Sequence, residues 1–273
     1  AYRLVPSINK IFISYQQIKF GKPSIPKIME YYNLNKKNKF IENQNFEETT
    51  DFQNNIDLKN ISFGYRKDKY IIKNLNLKIY KNKILGISGE SGSGKSTIVN
   101  LLTGLIKPSE GNITIDEKKI TNPIQLRIYQ NLFSVSSQDT YLIDGTIKDN
   151  IIFGSSEKIS LEKLNFAIKF AQLESMIKEL HDGIDTYIGS SIKQLSSGQK
   201  QRISIARSIY NDRKILIFDE ATNALDQENE KLIFKNLDNL RSQKTIIIIS
   251  HNPDNLKICD SILKVDNKYL VND

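Results

Sequence analysis

The chain has 273 residues, 39% hydrophobic and 26% charged, enough for one large packed domain plus an appendage and too apolar for a disordered tail. Its single cysteine, Cys259, excludes an intrachain disulfide and a cysteine-based zinc cluster, and fits a small apolar residue in a reducing compartment. The net charge of +8 does not make it a nucleic-acid binder: residues 1–45 hold eight basic side chains against two acidic ones, so +6 sits on the N-terminal flank and +2 on the rest.

That flank comes first in the chain. Leu4, Ile8, Ile11, Tyr15 and Ile18 recur at three- and four-residue spacing, which predicts a helix. Gly21 and Pro23 break it, and Ser24 is placed to cap a second short helix through Tyr32. Residues 33–55 are polar and rich in Asn, Lys and Glu, and read as a linker. A basic stretch of this kind suits the cytoplasmic end of a membrane helix. No run of about eighteen apolar residues lies inside the chain, no signal peptide is evident, and a start at Ala1 suggests a fragment of a longer protein.

A compact domain is expected from Ile56 onward. Residues 61–65 and 75–79 alternate as antiparallel strands do. Residues 84–88 form a short apolar run between Asn82 and Gly89, expected to be a buried strand, and residues 95–106 have helical character. Gly111 marks a turn before a strand at 112–115. Helical period returns over 161–180 and 198–210. Residues 215–218 and 245–249 are apolar without alternation, the pattern of strands covered on both faces in a parallel sheet. The expected class is α/β, with a parallel core, a smaller antiparallel layer and a helical insert at about 139–200.

Gly89, Glu90, Ser91, Gly92, Ser93, Gly94, Lys95 and Ser96 fill every fixed position of a phosphate-binding loop, between an expected strand and an expected helix. Glycines let backbone N–H groups turn toward phosphate oxygens, and the helix start adds the positive end of its dipole. Lys95 would neutralise the β/γ-phosphates and Ser96 offers a hydroxyl to Mg²⁺. Residues 214–220, KILIFDE, end an apolar strand in two carboxylates. In a parallel sheet, ligands gather beyond such strand ends. Asp219 is thereby placed to hold Mg²⁺ and Glu220 to act on an attacking water.

Leu195, Ser196, Ser197, Gly198 and Gln199 precede the next helix, and here the chain resembles the nucleotide-binding domain of ABC transporters. The resemblance spans roughly residues 56–273, a P-loop NTPase fold. LSSGQ is similar to the family's LSGGQ signature, with Ser197 in place of its first glycine. The resemblance implies ATP and Mg²⁺ as ligands, with nucleotide contacts from Tyr65, residues 89–97 including Thr97, and, across a dimer interface, Ser196, Ser197, Gly198 and Gln199. It implies Ser96, Gln138 and Asp219 around Mg²⁺, Glu220, His251, Gln138 and Lys95 in hydrolysis, and Tyr65 stacked on adenine. Residues 223–226, NALD, resemble the SALD loop, with Asn for Ser. His181 has no such context and reads as a surface residue.

Exporters of this family carry a TEVGE-like stretch before the signature. Residues 186–190, TYIGS, stand there, keeping Thr, an aliphatic and Gly but neither glutamate. Residues 3–10 and 19–24 are similar to the lipid-linked oligosaccharide flippase branch. The resemblance therefore implies the motor of a membrane exporter: residues 1–55 ending a transmembrane domain, residues 56–273 forming the ATPase, and a position on the cytoplasmic face of the inner membrane. Its expected partners are its own transmembrane domain and a second nucleotide-binding domain in a homodimer, with no nucleic acid. A peptide or drug exporter is the alternative. An ABC ATPase of DNA repair or translation would carry a coiled-coil insertion or a second cassette, and a silent regulatory cassette would lack Lys95 or Glu220.

Overall fold

The computed structural model describes residues 4–42, 52–66, 69–90, 92–155, 158–189, 195–266 and 269–272. It divides into two units, residues 1–49 and 50–273. In the first unit, α1 spans Val5–Gly21 and α2 Ser24–Glu42. The break at residues 22–23 falls where Gly21 and Pro23 place it. α2 runs ten residues past Tyr32, into the stretch read as linker, because no glycine or proline interrupts residues 27–42 and Lys, Glu and Leu are good helix formers. α1 has no buried residue. Leu4, Ile8, Ile11 and Ile18 are exposed, and so are Val5, Phe12 and Ile13 from its other sides.

The second unit holds two sheets. Strands β1 (Asn55–Phe63), β2 (Ile72–Tyr80), β4 (Glu110–Ile115) and β5 (Lys118–Lys119) form an antiparallel sheet in the order β2-β1-β4-β5. The pairs Ile56–Ile79, Leu58–Leu77 and Ile61–Leu75 face one another across its first two strands. The other sheet has the order β10-β9-β3-β8-β7-β6, from β3 (Ile84–Gly89), β6 (Phe133–Ser137), β7 (Ile215–Asp219), β8 (Thr245–Ile249), β9 (Ser261–Asp266) and β10 (Tyr269–Asn272). Its pairings are parallel except for the edge strand β10.

The unbroken apolar runs of β7 and β8 follow from their position. Ile215, Ile217, Ile247 and Ile249 belong to a core shared with the antiparallel sheet. Leu216, Phe218, Ile246 and Ile248 belong to a second core with the helices. A strand with both faces covered keeps no polar face. The helical segment comprises α5 (Ile147–Ile152), α6 (Leu161–Phe170), α7 (Glu174–Glu179) and the start of α8 (Ser197–Tyr210). The expected single helix over 161–180 is broken in two, because Gln172 takes a left-handed backbone with φ of 56°. Helix α3 covers Lys95–Leu102 and stops short of Ile106, with Gly104 at φ of 68° beyond its end. Helices α4 (Pro123–Gln130) and α9 (Gln227–Asn239) complete the unit.

Candidate nucleotide site

Strand register brings four segments to one edge. Across the parallel sheet, Ile87 of β3 pairs with Ile249 of β8, Ile249 with Asp219 of β7, and Asp219 with Ser137 of β6. The next residue on each of these strands is therefore Ser88, Ser250, Glu220 or Gln138. Glu220 N–H donates to the Ile249 carbonyl at 3.0 Å and Ser250 N–H to the Ile87 carbonyl at 3.2 Å, so the row stays in step past the strand ends. Four segments more than 160 residues apart at their extremes thus open onto one edge, the carboxyl end of the sheet.

The loop after β3 is built for close approach. Gly89, Gly92 and Gly94 have φ of 156°, 79° and 104°. A Cβ on Gly89 would lie 2.5 Å from the Val265 carbonyl oxygen. Gly94 caps α3, whose first N–H groups have no partner within the helix. Lys95 is buried, and its ammonium donates to the carbonyls of Gly89 at 2.8 Å and Glu90 at 2.9 Å, with Glu220 Oε1 at 3.6 Å. Ser93 Oγ is buried with no hydrogen-bond partner among the described residues. Thr97 is buried in the first turn of α3. Ser91 lies outside the described residues.

Burial pushes the Asp219 carboxyl above its ordinary range. The Ser96 hydroxyl, bonded to that carboxylate, and the Lys95 charge pull the other way, while Glu220 adds to the rise. The Lys95 ammonium, the Ser96 hydroxyl and the carboxylates of Asp219 and Glu220 stand together at this edge. His251 is 62% exposed, with Nδ1 3.9 Å from Glu220 Oε1. Gln138 is exposed one residue past β6. Tyr65 stands 65% exposed, edge-on to Phe63 with ring centroids 5.0 Å apart. It lines a pocket of about 590 Å³ with Lys69, Tyr70, Ile71, Gly92 and Ser93, so an aromatic face borders the glycine loop.

Ser196 caps α8: its Oγ accepts from Gln199 N–H at 3.2 Å, and Gln199 Oε1 accepts from Ser196 N–H at 2.9 Å. Gly198 is pressed against the loop that follows Glu220, and Gln201 Oε1 accepts from Ala224 N–H at 2.9 Å. Ser197, which stands where the related signature has glycine, is exposed. Residues 186–188 lie along residues 145–147, through Ile147 N–H to the Thr186 carbonyl and Ile188 N–H to the Gly145 carbonyl, and the Tyr187 hydroxyl donates to Asp144 at 2.7 Å. Ser190 lies outside the described residues.

Three features had no sequence signal. Asn223 Nδ2 donates to Glu220 Oε2 at 2.9 Å. Glu230 of α9 accepts from Thr222 and from Asn255, and Asn255 also reaches Ser250, which ties the loop after β7 to the loop after β8. Arg207 of α8 donates to the carbonyls of Tyr141 and Asn150.

Residues 72–223 match the family described as ABC transporter. The chain belongs to that family. The leukotoxin translocation ATP-binding protein LktB of Mannheimia glucosida is 42% identical over 185 residues, 67% of this chain and 26% of its own length. The ATP-dependent permease MDL1 of Candida albicans is 40% identical over 195 residues, 70% of this chain and 28% of its own. A bacterial Atm1-family ABC exporter solved with ATP bound superposes with a TM-score of 0.75 at 34% identity, over 80% of this chain and 38% of that one. This ABC chain thus spans about a third of the length of the relatives it matches.

Proposed function

We propose that this chain carries the ATP-hydrolysing motor of a membrane ABC exporter. The observation that supports it most is at the carboxyl edge of the sheet, where Glu220 Oε1 lies 3.6 Å from Lys95 of the glycine loop and 3.9 Å from His251, with Asp219 one residue before it and Gln138 just past the end of the neighbouring strand β6. Phosphate oxygens would take the Lys95 ammonium from the loop carbonyls it now bonds, and the Ser93 hydroxyl of the same loop is buried with no hydrogen-bond partner among the described residues. Adenine would stack on Tyr65. The oxygen donors of Ser96, Asp219 and Gln138 suit a hard divalent cation, and Mg²⁺ held there would offset charge on the β- and γ-phosphates. Glu220 would orient and deprotonate the attacking water, with His251 beside it. Ser196 and Gly198, with Ser197 and Gln199, would meet the nucleotide of a second copy in a head-to-tail homodimer.

Two findings favour the transport reading over a non-transport ATPase. The relatives named for translocation, permease or export extend well beyond the aligned segment, which covers 26%, 28% and 38% of their lengths. The uncovered apolar side chains around α1 suit a helix that packs in a larger apolar setting. On this reading residues 1–55 join the motor to a transmembrane domain at the cytoplasmic face of the membrane. A lipid-linked oligosaccharide or another lipid is the proposed cargo, from residues 3–10 and 19–24, with a peptide or drug as the alternative. Lys95→Ala tests the motor: hydrolysis should vanish and ATP binding weaken, whereas wild-type turnover in that variant would contradict the reading.

A further inference from the structure

We infer that Asn223 is a positioning residue for hydrolysis, holding the Glu220 carboxylate by one oxygen so that the other faces the phosphate-binding lysine. The inference rests on the reading of Glu220 as the group that acts on the attacking water. Asn223 Nδ2 donates to Glu220 Oε2 at 2.9 Å, while Oε1 lies 3.6 Å from Lys95 Nζ and 3.9 Å from His251 Nδ1. The carboxylate thus has its two oxygens divided between a neutral donor and the cationic side of the site.

The backbone makes this reach possible. Glu220 sits in the left-handed region with φ of 50°, and Asn223 N–H closes a turn onto the Glu220 carbonyl at 3.3 Å. Residue 223 is thereby carried back over the carboxylate three residues before it. The serine that the related loop carries at this position ends one bond shorter than asparagine, so the carboxamide is this chain's own means of spanning the gap. A carboxylate at the end of a strand can turn about its side-chain bonds, and fixing one oxygen reduces the geometries it must leave before it meets the water. Asn223 itself is exposed and takes no part in the two cores, so its bond to Glu220 is not a by-product of packing.

The competing explanation is that Asn223 only favours the turn. Asn223→Asp separates the two, because aspartate suits the same turn but puts an acceptor where the donor stood. Steady-state hydrolysis, nucleotide dissociation constants and urea unfolding should be measured on the full chain for Asn223→Asp, Asn223→Ala and Asn223→Gln. The Asp and Ala variants should lose about tenfold or more in kcat, the scale of one charge-assisted hydrogen bond. Their ATP affinity should stay within about twofold, since the loss falls on the chemical step. Asn223→Gln, which keeps the donor, should recover part of the rate. Wild-type turnover in both the Asp and Ala variants would overturn the inference, and so would a loss of kcat that follows the unfolding midpoint in all three. Glu220→Gln is measured alongside: wild-type turnover there would instead remove the reading of Glu220 on which the inference stands.

Discussion

Gly198 and Ala224 approach so closely that a Cβ built on the glycine would lie 2.7 Å from the Ala224 carbonyl oxygen. The first turn of α8 and the loop after Glu220 therefore meet backbone to backbone, and Gln201 fastens the same contact through the Ala224 N–H. Gly198→Ala should force the loop away and lower stability by about 1–2 kcal/mol, the cost of overpacking partly offset by the better helix propensity of alanine. Ser197→Gly, one residue earlier on an exposed position, should change stability by less than about 1 kcal/mol. Urea unfolding of the two variants side by side checks this.

Arg207 holds the segment from Tyr141 to Phe153 onto α8. Its guanidinium donates to the carbonyls of Tyr141 at 2.8 Å and Asn150 at 2.7 Å, and to Asn150 Oδ1 at 3.1 Å. Asn150 is fully buried and in turn bonds Ile143 and Thr146. Arg207→Ala should cost about 3 kcal/mol, because it strands acceptors that were bonded to a charged donor. Arg207→Lys should restore only part, since an ammonium cannot match the planar fork. Denaturant midpoints of the pair measure it.

The parts of this architecture that the sequence made legible are those with one dominant signal. The five residues of β8 are read without error because a run of isoleucines covered on both faces has no other reading. The strand β6 gave none. It carries FSVSS, and serine ordinarily marks a turn. Ser134 and Ser136 instead bond Ser208 and Ser204 of α8, at 3.2 Å and 3.1 Å, in a buried ladder of hydroxyls. Only the fold can supply those partners. The same holds for the break at Gln172, where neither glycine nor proline warns of the left-handed turn. At the candidate site, motif spacing names Lys95, Asp219 and Glu220. The bond from Asn223 was not legible, because it depends on the backbone at Glu220.

Asp116 should make stability depend on acid pH. Burial pushes its carboxyl up, but the N–H groups of Gln53, Asn55 and Asn54 and the charge of Lys81 outweigh that and hold it below its ordinary 3.8. A carboxyl depressed in the folded chain stabilises it above the unfolded value, and that contribution is lost as pH falls through the folded one. Asp116→Asn, which keeps the left-handed backbone available, should lower the urea midpoint at pH 7. The gap between variant and wild type should narrow as the pH falls below the ordinary value of 3.8. An unchanged gap across that range would contradict the assignment.

Tyr65 offers an open aromatic face beside the glycine loop. Tyr65→Ala should weaken ATP binding by about 1–2 kcal/mol, on the scale of base–aromatic stacking. Turnover at saturating ATP should change less. Titration calorimetry with ATP reads the affinity directly.

The shared-site motor is tested most directly by the oligomeric state of Glu220→Gln in ATP·Mg²⁺. Glutamine keeps the size of the side chain and removes the base, so ATP should bind while hydrolysis falls by at least about a hundredfold. Binding without hydrolysis should hold two copies closed on two nucleotides. Sedimentation should then show a shift from monomer to dimer on adding ATP·Mg²⁺, and the shift should vanish when Ser196→Arg is added, because Ser196 is proposed to meet the nucleotide of the opposite copy. A Glu220→Gln protein that hydrolyses ATP at the wild-type rate, or that binds ATP and stays monomeric, would contradict the account.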